Sequence, residues 1–143
     1  MKITKVIGIS LLLSACMFVV AWAGDFDGTR PLLCTVISVI ESTPSENRSV
    51  SAESIGLPQF IMIDSAKKKI WPAMDKEGNK TSEIKRVDHV GGNLILQGVD
   101  EGIEKKREAV SWTATISEET GKFVLTAAGD QVGFVIFGAC LPQ

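Results

Sequence analysis

The chain has few of the side chains on which catalysis and metal binding usually rest. Its 143 residues include one histidine and three cysteines. A lone imidazole without a spare thiol does not make a zinc site, which takes three or four such donors. Serines are plentiful, yet none sits in G-x-S-x-G or another nucleophile elbow. No glycine cluster precedes a helical pattern, which excludes a phosphate cradle at a helix N-terminus. No aromatic residue is interleaved with the basic triplets Lys67-Lys68-Lys69 and Lys105-Lys106-Arg107, so both read as solvated turns and nucleic acid is not expected as a partner. Helical periodicity long enough for a crossover is missing as well, and parallel βαβ architecture goes with it. The expectation is a protein that is not an enzyme, with no catalytic, cofactor-binding or metal residue and no cofactor.

What is present begins with an export pattern. Lys2 and Lys5 precede an uncharged run from Val6 to Ala23, and Ala21-Trp22-Ala23 is a small-x-small cleavage pattern. Residues 1–23 therefore read as a signal peptide and 24–143 as a single domain, periplasmic or secreted. Two other readings stay open. The run is just long enough to span a bilayer as an uncleaved anchor. Leu13-Ser14-Ala15-Cys16 resembles a lipobox, which would anchor a lipoprotein through Cys16, although the apolar residues after it are unlike a lipoprotein's polar tether. A membrane is a partner only in those two cases. From Gly24 onward 17 acidic residues face 13 basic ones, a net charge of −4.

The rest of the chain reads as short strands and turns. Residues 33–41 are β-branched between Pro31 and Pro44, followed by a polar connection from Ser42 to Pro58 with one helical turn near Ser51. Strand pattern resumes at 59–63 and 69–71, with Lys67-Lys68 turning the chain between them. Ser82–Val90 and Asn93–Val99 flank Gly91-Gly92, a two-residue hairpin signal. In 110–117, Val110, Trp112, Ala114 and Ile116 alternate with Ser111, Thr113, Thr115 and Ser117, the mark of a strand with one face in a core. Residues 122–128 and 132–139 complete the series. About eight strands joined by tight turns make an all-β antiparallel meander.

The cysteines bear on closure. Once Cys16 leaves with the signal, Cys34 and Cys140 remain, and an even count in an exported chain favours a disulfide. Cys34 lies near the start of the first strand and Cys140 at the end of the last. In a meander with an even number of strands, closing the sheet brings those ends together. A closed barrel is the expectation, with a two-sheet sandwich as the other arrangement able to join them.

Candidate residues each have an ordinary reading. His89 follows Asp88, but neighbours on a strand point to opposite faces, so His89 reads as a surface residue at a hairpin end. Asp25 and Asp27 read as a polar lead-in. Asp64 and Glu83 would matter only if they converged across a cleft. Asn47-Arg48-Ser49 and Asn79-Lys80-Thr81 match the glycosylation pattern in segments read as loops. Trp71 and Trp112 are read either as core fillers or as the lining of an internal cup.

Three stretches, Phe26-Asp27-Gly28-Thr29-Arg30-Pro31-Leu32-Leu33-Cys34, Gly92-Asn93-Leu94-Ile95-Leu96-Gln97-Gly98 and Val132-Gly133-Phe134-Val135-Ile136-Phe137-Gly138-Ala139-Cys140, resemble a small family of exported bacterial proteins of unassigned function. They cover roughly a quarter of the mature chain. The resemblance implies a periplasmic setting, supports the paired cysteines and carries over no catalytic residue. The barrel is calycin- or lipocalin-like by fold analogy alone. The functional expectation is a non-enzymatic binding module for a small apolar ligand. The other reading is a protein-interaction or inhibitor domain using the Ser42–Pro58 segment.

Overall fold

The computed structural model describes residues 25–75, 80–100 and 109–143. The signal segment and Lys105-Lys106-Arg107 lie outside them, as does Asn79. Nine antiparallel strands follow one another: β1 (Leu32–Ser42), β2 (Asn47–Val50), β3 (Phe60–Asp64), β4 (Lys69–Pro72), β5 (Ser82–Val90), β6 (Asn93–Asp100), β7 (Val110–Ser117), β8 (Lys122–Ala128) and β9 (Gly133–Pro142). Each pairs with the next in an up-and-down order from β3 to β9, and β1 pairs with both β3 and β9. Eight strands thus close a barrel, and β2 is an addition to it.

The extra strand corrects the expectation of a loop from Ser42 to Pro58. One edge of β1 carries β9 along its whole length, from Leu32↔Pro142 to Ser42↔Gly133. The other edge is shared: β3 takes Leu32 to Thr35 and β2 takes Val39 to Ser42. Four polar-patterned residues pair as a strand because a tight turn, closed by Thr43 N–H donating to the Glu46 carbonyl at 2.9 Å, lays them on an edge that β3 does not reach. Asn47 therefore belongs to a strand rather than a loop, and its side-chain oxygen accepts from the Ser42 hydroxyl at 2.6 Å. The helical turn expected near Ser51 is a short 3-10 turn over Glu53–Ile55. It holds Ala52 in the core, with Ile55 and Leu57 packed against it.

Turn chemistry explains the hairpins. Gly91 and Gly92 have φ of 58° and 76°, a region that costs glycine nothing sterically. Gly121 at φ 67° ends the β7–β8 turn, and an added Cβ would lie 2.4 Å from the Phe26 ring. That close approach seats Phe26, from the lead-in segment, against the core.

Closure leaves one inward face. Leu32, Cys34, Val36, Val39, Ile61, Ile63, Ile84, Leu94, Leu96, Trp112, Ala114, Ile116, Phe123, Leu125, Ile136 and Cys140 form a single buried cluster. The 110–117 alternation holds, with Trp112, Ala114 and Ile116 inside. Two inward positions are glycine because an aromatic ring lies over each. Gly98 faces Trp112 in register, and Gly138 faces Phe123. The side chains of this cluster point into the barrel and are almost entirely shielded from solvent.

Cys34 and Cys140 are bonded across the β1–β9 seam, at an S–S distance of 2.04 Å. The disulfide and the barrel closure expected from the sequence are both present.

Candidate functional site: an apolar outer wall

At one end of the barrel His89 is held by a residue the sequence reading did not single out. Its Nδ1 donates to Glu118 Oε1 at 2.6 Å. Glu118 is far away in sequence, but its N–H donates to the Gly92 carbonyl, which docks the β7–β8 turn on the glycine hairpin. The signal that would have found it is hairpin register: Asn93 pairs with Ser117, so the residue after Ser117 meets the β5–β6 turn. Asp88 is turned the other way, as strand alternation requires, and pairs with Arg86 at 2.5 Å. Asp27 lies near enough to feel His89. The Thr29 hydroxyl and N–H on its carboxylate are the larger influences and hold its pKa below the usual aspartate range. No nucleophile approaches this histidine among the hydrogen bonds of the described residues, and no group of three metal-binding side chains forms among them.

The carboxylates that would have suggested hydrolysis are each engaged by a lysine. Asp64 and Glu83 lie on either side of Lys69 in register. Asp64 closes the β3–β4 turn: its Oδ1 accepts from the Lys67 N–H at 2.9 Å and its Oδ2 lies 3.1 Å from the Lys67 ammonium. Burial pushes the Asp64 carboxyl up, but these bonds and the Ala66 N–H outweigh it and hold the pKa below the usual value. Glu83 pairs with Lys85, which lowers its pKa too. At the far end of β1, Glu41 is buried and accepts twice from Arg48, through Nε at 2.9 Å and Nη2 at 2.7 Å. The pair ties β2 to the barrel.

The two tryptophans part company. Trp112 is in the core, one of the two readings made for it. Trp71 is neither a buried filler nor a cup lining. It pairs with Met62, whose neighbours Ile61 and Ile63 point inward, so Trp71 lies half-buried on the outer face. Beside Trp112, an open cleft of about 120 Å³ is lined by Ser111, Thr113, Thr126, Ala127 and Ala128. It is too small for a drug-sized ligand, whose pockets run to several hundred cubic ångströms.

The feature of most interest is on the outside. Cross-strand register places Leu141, Leu33, Met62 and Trp71 in one row over β9, β1, β3 and β4. The next row is Lys122, Ala139, Thr35 and Phe60. Further along, Val124 faces Phe137, and Val135 faces Ile40. Ile37, the extra residue where the β1–β9 register shifts, projects outward with 70 % of its surface exposed. On the outer faces of β8, β9 and β1, Lys122 is the single charge. The strand charges of Lys85, Arg86 and Asp88 are on β5, and Glu83 stands beside them. Ordinary half-wet strands alternate apolar with polar residues; here Leu33, Ile40, Val124, Val135, Phe137 and Leu141 take outward places beside Lys122, Thr35, Ser38 and Thr126. Comparison of the chain with protein-family models, curated proteins and solved structures finds no match.

Proposed function

We propose that this protein works outside the cytoplasm as a non-enzymatic binding module, and that it meets a protein partner with its outer wall rather than holding a ligand inside the barrel. The observation that carries the reading is the largely apolar outer face of β8, β9 and β1, where Lys122 is the single charge, with Phe60 and Met62 of β3 beside it. Monomeric soluble proteins rarely leave a contiguous apolar patch of more than a few hundred square ångströms open, and larger ones mark interaction sites. The packed inward face supports the choice of the wall over a small apolar ligand, because such a ligand would have to displace core side chains. An exported setting is supported by the leader-like segment 1–23 and by the Cys34–Cys140 bond.

The test is dye binding to the mature protein, residues 24–143. An apolar fluorescent probe is expected to bind the folded chain, and Phe137→Lys or Leu141→Lys to reduce that binding severalfold. Binding that ignores both charges, yet falls when Leu125 inside the barrel becomes Phe, would return the ligand to the interior.

A further inference from the structure

Beside the apolar wall, we propose that the outer face of β6, β7 and β8 is a second binding site, which takes a neutral glycan strand through hydrogen bonds to its hydroxyls. The proposal stands on its own observations and does not need the wall.

Charge excludes the other ligand classes. From Gly24 onward the chain has 17 acidic and 13 basic residues, yet none of them points outward from β6 or β7. The outward positions of β8 are Lys122, Val124, Thr126 and Ala128, so its one cation stands at a corner. On the opposite flank, Arg86 and Asp88 of β5 pair with each other. A phosphate, a carboxylate or a polycation finds no counter-charge between those borders.

What does point outward is mostly hydroxyl and amide. One row across the strands is Gln97, Thr113 and Thr126, and the row beyond it is Ile95, Thr115 and Val124. Phe137 of β9 extends that second row, 39 % exposed. Hydroxyls and amides both donate and accept, as the hydroxyls of a sugar do. Among the described residues, the side chains of Gln97, Ser111, Thr113 and Thr115 make no hydrogen bond. The Thr126 hydroxyl reaches only the Thr113 carbonyl, at 3.5 Å. These groups are open to a ligand, while Val124 and Phe137 offer an apolar strip to the C–H face of a sugar ring.

The face also has a seat. Ser111, Ala128 and Gly133 follow one another across β7, β8 and β9, and such small residues leave a dip beside Thr113 and Thr126. The open cleft of about 120 Å³ lies there. It admits the edge of one ring but not a drug-sized molecule. A ligand anchored in it has to continue along the sheet. Strands about 4.8 Å apart, with outward residues about 6.6 Å apart along each, present hydrogen-bonding groups at regular intervals. A polymer of repeating sugars meets such a surface with regular groups of its own.

Titrating the isotope-labelled, disulfide-bonded mature protein with chitohexaose and with cellohexaose, two neutral glycans, tests the proposal by NMR. Saturable shifts in the millimolar range are expected with at least one of them, at the amides of Gln97, Thr113 and Thr126. Thr113→Val and Thr126→Val keep the side-chain shape and the strand preference but remove a hydroxyl. Each should weaken binding about fivefold. Leu141→Lys, on the apolar wall, should leave glycan binding unchanged. The spectrum of each variant separates a lost contact from a lost fold. No saturable shift with either glycan, shifts confined to other strands, or valine variants that bind as the wild type does, overturns the proposal. Glycan binding that Leu141→Lys abolishes would put the ligand on the wall and overturn it too. Loss of dye binding alone in that variant bears on the wall and leaves this site standing.

Discussion

Cys34 and Cys140 stand directly opposite each other on β1 and β9, with Cα atoms 3.9 Å apart. Their backbone groups explain the closeness. The Cys140 N–H donates to the Gly121 carbonyl, on the β8 side, and Val36, two residues from Cys34, donates to the Gln59 carbonyl on the β3 side. Both cysteines therefore turn their hydrogen-bonding groups away from the shared seam. They form a non-hydrogen-bonded pair, the antiparallel site in which opposed Cα atoms approach most closely. The bond spans 106 positions and fastens the first strand to the last.

Removing it should be costly. Closing a loop of this length restricts the unfolded chain by about 4–5 kcal/mol. Cys34→Ala/Cys140→Ala is expected to lose stability of that order in urea denaturation, and the reduced wild type to match it. The intact mature protein should weigh two hydrogens less than its reduced form; two free thiols in exported material would contradict the bond.

The glycines beneath the two aromatic rings allow a sharper test. A Cβ on Gly98 would lie 2.2 Å from Trp112 and 2.6 Å from the Glu83 carbonyl oxygen; one on Gly138 would lie 2.2 Å from both the Phe123 ring and the Thr35 carbonyl oxygen. Side chains can shift but those carbonyls belong to neighbouring strands. Gly98→Ala and Gly138→Ala should each destabilise by about 2–3 kcal/mol. Gly92→Ala, with nothing within 4 Å but a φ of 76°, should cost about 1–2 kcal/mol from backbone strain alone. Equal losses at all three positions would mean that the rings do not cover the first two.

Asp64 sets an acid limb on stability. Its folded pKa lies below the ordinary value, so the stabilisation it brings is complete above its unfolded pKa, about 3.9, and is lost as pH falls through the lower folded value. Asp64→Asn should lower the melting temperature near neutral pH, and the difference should shrink as pH falls below the ordinary aspartate value and through the lower folded one. A difference that persists unchanged into acid would remove the Lys67 interactions as its cause.

Fluorescence separates the tryptophans. In the mature protein, Trp71→Phe leaves Trp112, whose emission should be blue-shifted and resistant to acrylamide. Trp112→Phe leaves Trp71, half-exposed, which should be quenched more readily. The reverse order would place Trp71 inside the barrel.

Much of the fold was legible because antiparallel strands repeat every two residues and glycine marks their turns. Ser82–Val90, Asn93 onward, 110–117 and 122–128 sit where alternation put them. The misreadings have a common cause. Asn47–Val50 has no apolar alternation, and it is a strand because an open edge of β1 is there to receive it. Trp71 reads as core by composition, yet pairing with Met62 puts it outside. The β9 and β1 side chains look like a buried apolar run from sequence alone, since nothing in a string of residues says which face is covered.

The sequence by itself determined the strand order, the hairpins and the pair of cysteines that a closed meander would join, because these follow from local periodicity and from backbone preferences of single residues. Only the tertiary structure decided that Glu118 holds His89, that β2 extends the sheet, which side chains are buried inside the barrel and that the apolar surplus faces outward. Those depend on register between segments distant in the chain, where a one-residue slip exchanges inside for outside.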